Sequence, residues 1–272
     1  MTLALTPSRS THVRLDARGT ALTGVAAMLA PLPATTIAYL TDPRTINGAS
    51  VWAKPMHFEL SIAIHLGTLA LLVPFLSQAW QRSRLIGWSM QVAVLSAILE
   101  ITYISLQAAR GHASHFNTET GLEIAMYALM GVGATLIVSG SAIFGYGLWR
   151  SPVVPRSEQL KRGAALGLML GSAATLVIAG YLSQQHGHWV GGPQTDAHGL
   201  PFLGWATRGG DLRVPHFFAT HAMQALPFIG WLADRLGLGR SGWLMVAASG
   251  AYFSGVLALF AEALLGMPFI SV

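Results

Sequence analysis

The chain has no cysteine in 272 residues. That excludes disulfides, thiolate-bound zinc, iron–sulfur clusters and thiol nucleophiles, and it fits any redox compartment. Charge is the second shortage. Only 10% of the residues are Asp, Glu, Lys or Arg, against 53% hydrophobic, and the mean hydropathy is +0.52. A soluble domain carries about 25% charged residues; water cannot solvate a surface as poor in charge as this one. Motifs of known mechanism are the third. There is no GxxxxGK[ST] phosphate loop, no GxGxxG after a strand, no HExxH, no EF-hand loop and no Gly-x-Ser-x-Gly. The last apolar run has no lysine, so a retinal Schiff base has no anchor there.

What the chain does have is a series of apolar runs. A membrane span takes roughly 20 apolar residues. Seven such runs are present, at 20–40, 57–79, 85–108, 121–148, 160–184, 215–233 and 242–266. The expected fold is an all-α integral membrane bundle of seven spans, with 1–272 as a single polytopic domain. Pro31 and Pro33 interrupt the first run. Each removes a backbone donor, so a broken or tilted segment is expected there. The polar stretch 1–18 precedes a run of full span length, which reads as an uncleaved first helix rather than a signal peptide. Gly163, Gly167 and Gly171 fall on one helix face and allow a neighbouring helix to approach closely.

Lys and Arg distribute unevenly between the loops. Arg9, Arg14, Arg18, Arg82, Arg84, Arg150, Arg156, Lys161, Arg162, Arg235 and Arg240 fall on one side. Arg44, Lys54, Arg110, Arg208 and Arg213 fall on the other. The positive-inside rule then puts the N-terminus in the cytoplasm and the C-terminus outside. The location expected is a bacterial-type plasma (inner) membrane, with the lipid bilayer as partner. These small basic clusters are topology signals, so no nucleic-acid partner is expected. The loop 185–214 is external and about 30 residues long, a length that usually marks function. Trp189, Phe202, Leu203 and Trp205 give it the apolar surface to fold as a lid.

On this topology nine of the ten histidines lie toward the outer side, and only His12 does not. His65, His221 and Glu100 lie inside spans, roughly 9–12 Å below the outer boundary at 1.5 Å per residue. Ionisable groups at that depth face the bundle interior and mark functional sites. His57, Glu59 and His216 form a shallower tier, joined by His112, His115, Glu123 and Glu262. The inner halves of the spans hold no acid. His57, Ser61, His65 and Thr68 form one helical stripe, and His221 shares a face with Gln224. His216 and His221 are five apart and about 140° out of phase. Taken singly, an intramembrane histidine is as a rule a hydrogen-bonded packing element.

Three function classes remain. The first is a b-type haem protein for electron transfer or for redox or gas sensing, with quinone as a possible partner. His65 and His221 would be its axial ligands, and Arg110 and Arg213 would pair with the propionates. The second is a membrane oxidoreductase or hydrolase that uses a Zn, Fe or Cu ion and acts on a lipid-like substrate. Its candidate metal ligands are His65, His221, His57 and His216, with Glu100 as catalytic carboxylate. The third is a proton or cation transporter. Against it stands the inner half, which offers no continuing polar track.

Overall fold

The computed structural model describes residues 16–153, 156–238 and 243–271. His12, Arg9, Arg14 and Arg240 lie outside the described residues. The first apolar run forms two helices, α1 (Ala17–Leu29) and α2 (Leu32–Thr41), broken at Ala30 and Pro31. Neither Pro31 nor Pro33 has an N–H to continue the hydrogen-bond ladder, which accounts for the break. Asp16 caps α1, accepting from Arg18 N at 3.1 Å.

A hairpin of β1 (Thr45–Ile46) and β2 (Ala49–Ser50) follows, turning at Asn47 and Gly48, both at positive φ. Asn-Gly in such a turn matches the twist of the strands it joins. Next comes α3 (Ala53–Leu72), ended by the 3₁₀ turn Val73–Phe75 around Pro74. A single helical turn, α4 (Gln78–Gln81), leads into α5 (Arg84–Arg110). Gly111 closes α5 in the left-handed region, at φ 76°. Thr120 caps α6 (Gly121–Arg150), its hydroxyl accepting from Glu123 N at 3.3 Å and donating to Glu123 Oε2 at 2.8 Å. The remaining long helices are α7 (Glu158–Leu182), α8 (Arg213–Arg235) and α9 (Trp243–Leu264). Two short strands, β3 (Trp189–Val190) and β4 (Gly210–Asp211), pair antiparallel and close the base of the long loop.

Six segments are long and apolar enough to cross a membrane: Ala17–Thr41, Ala53–Phe75, Arg84–Arg110, Gly121–Arg150, Glu158–Leu182 and Trp243–Leu264. Their outer faces carry exposed side chains such as Leu40, Leu71, Leu122 and Trp243. The chain is thus an all-α bundle with the character of an integral membrane protein. α8 is as long as the others but amphipathic, with His216, Thr220, His221 and Gln224 along it.

The glycine face of α7 packs on α8. A Cβ at Gly163 would collide with Leu226 O, one at Gly167 with Ala222 O, and one at Gly171 would lie 3.0 Å from Ala219 O. The close approach expected from the glycine spacing is realised, and α8 is the partner. Asp234 near the end of α8 accepts from Gln159 N and Leu160 N at 3.1 and 2.9 Å, capping α7. Below the histidines the interior is apolar, filled by Leu69, Met90, Ala93, Phe144 and Leu168.

Candidate functional site

The polar stripe of α3 is only partly covered. His57 and Thr68 are half-buried, and Ser61 and Ile64 are exposed. α8 presents a matching stripe of Arg213, Phe217, His221, Gln224 and Phe228, spaced three and four residues apart. The two stripes meet where Gln224 Nε2 donates to Thr68 Oγ1 at 2.9 Å. Gln224 Oε1 lies 3.2 Å from His221 Nδ1, as the shared face of residues 221 and 224 predicts. The His221 ring lies against Phe217, with centroids 4.1 Å apart. α3 packs on α1 and α5, and α8 on α7 and α9. The α3 and α8 stripes stay partly uncovered on either side of the Thr68–Gln224 bond, with Leu71 and Phe228 exposed beyond it, and this partly open seam is the candidate cleft.

His65 borders this cleft but turns inward. Its Nε2 is 2.8 Å from Ser141 Oγ of α6, and both groups are buried. A small pocket beside it is lined by Ser172, Thr175 and Thr220 and holds about 10 Å³, room for about one water molecule. His65 and His216 both lie in the electrostatic field of His221.

Glu100 departs from the expected grouping. It is 6% exposed and makes no hydrogen bond or ion pair among the described residues. The charge that acts on it is Lys54. The sequence placed Lys54 in the external loop, but α3 begins four residues before the expected 57 and carries Lys54 in its first turn. A proline at the third helical position, Pro55, does not prevent this, because the first turn's N–H groups have no helical partners. Lys54 also lies 5.9 Å from the Phe58 ring centroid.

No three of His57, His65, His216, His221 and Glu100 bring their ligand atoms within 4.8 Å of one another. Among the described residues the one such group is His112, Glu119 and Glu123, at the α5–α6 turn. There His112 and Glu119 are exposed and Glu123 is held by Thr120. The two arginines assigned to propionates have other partners. Arg110 Nη1 donates to Gln107 Oε1 at 2.8 Å on its own helix. Arg213 binds Asp211 at 2.7 Å, Asp196 at 2.8 Å and Gly204 O at 2.6 Å.

Those Arg213 bonds organise the loop 185–214. Burial pushes the Asp196 carboxyl up, but hydrogen bonds from His188 and Arg213 and the Arg213 charge outweigh it and hold the group below the ordinary carboxylate range. Asp196 N also bonds Asn47 O at 2.7 Å, tying the loop to the β1–β2 hairpin. Trp205 packs against Phe217, Phe218 and Phe269. Phe202, at φ 65°, is set over His57 with ring centroids 5.3 Å apart. The His57 end of the α3 stripe therefore lies against this loop.

Sequence reasoning missed Ser141 and the hydroxyl layer of Ser172, Thr175 and Thr220. For Ser141, Ser172 and Thr175 the available signal was their place on the glycine-rich helices α6 and α7. No protein family, curated protein or solved structure matches this chain.

Proposed function

We propose that the protein is a seven-span membrane protein that binds a lipid-soluble small molecule with a polar oxygen head, of quinone-like or lipid-like chemistry, between α3 and α8. α8 is the seventh span, amphipathic because one face lines the cleft. The loop charges put the N-terminus in the cytoplasm and the C-terminus outside, in a plasma (inner) membrane. The loop 185–214 is the lid.

The observation that carries this reading is the half-open polar stripe shared by α3 and α8 and bridged by Thr68–Gln224. Polar side chains exposed at membrane depth are costly unless they face a cavity or a ligand. His221, Gln224 and Thr68 offer hydrogen bonds to a head group, and Phe217, Ile64 and Phe228 offer apolar contact to a chain. His221 is the proton-exchanging group for that head, since imidazole is the side chain that exchanges protons most readily near neutral pH. The apolar layer below makes this a site served from the outer half rather than a pore.

The test is extraction of purified protein followed by mass spectrometry. A stoichiometric lipid-soluble molecule is expected in the wild type. His221→Ala or Gln224→Ala should lower its occupancy at least tenfold. Equal occupancy in the variants would refute the assignment.

A second reading, haem b, has one observation in its favour: the field of His221 reaches His65. It requires His65 Nε2 to leave Ser141. A Soret band lost in both His65→Ala and His221→Ala would establish it in place of the first.

A further inference from the structure

Glu59 lies on the face of α3 turned away from the cleft, about 200° around the helix from His57. It is fully buried. Its Oε1 is 2.7 Å from Thr35 Oγ1 of α2. Its Oε2 is buried and has no hydrogen-bond partner. Thr35 Oγ1 also lies 3.2 Å from Pro31 O, which already accepts from Thr35 N at 3.0 Å. A threonine hydroxyl has one hydrogen to give, yet two acceptors are in reach. No Lys, Arg or His side chain among the described residues pairs with Glu59.

The surroundings explain why oxygen gathers here. Pro31 and Pro33 have no N–H, so the carbonyls of Ala27 and Leu29 lose the donors a continuous helix would supply. A buried carboxylate beside the joint of an interrupted membrane helix, sharing a threonine hydroxyl with a backbone carbonyl at that joint, is an arrangement that can coordinate a small monovalent cation.

We propose that Glu59, Thr35 and the Pro31 carbonyl form an oxygen-lined site for a sodium ion at the joint of α1 and α2. The ion balances the buried carboxylate and gives Oε2 a partner. It also relieves the hydrogen shortage at Thr35. The site is independent of the α3–α8 cleft, which lies on the other face of the same helix.

The test uses full-length protein, purified without sodium and melted in NaCl or in choline chloride at equal ionic strength. Sodium is expected to raise Tm saturably by several degrees and choline to leave it unchanged. Glu59→Gln should abolish the sodium response while leaving the occupancy of the cleft intact. Should Glu59→Gln fail to fold, a response kept in Thr35→Ser and lost in Thr35→Val supports the site. An equal effect of choline, or a sodium response that survives in Glu59→Gln or in Thr35→Val, would overturn it. So would a protonated-carboxyl infrared band that Glu59→Gln removes and sodium does not alter.

Discussion

In the turn between α5 and α6, His115 is enclosed by Phe58 and Tyr127, with ring centroids 5.6 and 5.7 Å away. Burial, and then the charge of Lys54, hold its imidazole well below the ordinary value of 6.5. The folded protein therefore keeps His115 neutral where the unfolded chain would protonate it. Its contribution to stability is complete above pH 6.5 and is lost as the pH falls from there toward the folded value. The slope is at most about 1.4 kcal/mol per pH unit. Thermal melts at pH 7.5 and 5.5 check this: His115→Phe should lose less stability on acidification than the wild type does. Helix membership was legible for His65, His221 and Glu100, since each lies inside a long helix as expected. Azimuth was not, because it depends on which neighbour each helix packs against. That is why Glu100 was grouped with the histidines and yet answers to Lys54. Glu59 was read only as a shallow member of the outer tier, since nothing in its own helix indicates Thr35.

Among the elements, α7 and α8 make the sharpest contrast with α9. Gly167 abuts a backbone carbonyl of α8, whereas Gly250 of α9 has open space around its Cα. Gly167→Ala should cost about 1–3 kcal/mol, since a carbonyl cannot yield as a flexible side chain can. Gly250→Ala should change stability by no more than about 1 kcal/mol. Unfolding of both variants in detergent compares them directly; equal losses would mean that the glycine face is not the α7–α8 contact. The long helices were legible because apolar length leaves few alternatives, and the break in the first span followed from two prolines. α3 began earlier than expected because Lys54 and Pro55 look like loop residues, although both are tolerated in a first turn. The short strands β1 to β4 gave no periodic signal at two residues each.

At the scale of the whole molecule, the missing cysteines become an experimental asset. Single cysteines at Arg208, Ser271 and Leu238 can be labelled from either side of the membrane with no background. The seven-span topology predicts that Arg208→Cys and Ser271→Cys react from outside and Leu238→Cys only from inside. Labelling of Leu238→Cys from outside would remove α8 from the set of spans. The all-α bundle of long apolar helices was legible from apolar length. The cleft was not, because it arises where two helices share few contacts, and such a gap has no residue of its own.

The Asp234 cap has a mechanical consequence. It clamps the C-terminal end of α8 to the start of α7, while the glycine face joins the two helices along their length. The pair can only travel as one stiff lever. Any widening between α3 and α8 must then move α3 against that pair and break the Thr68–Gln224 bond.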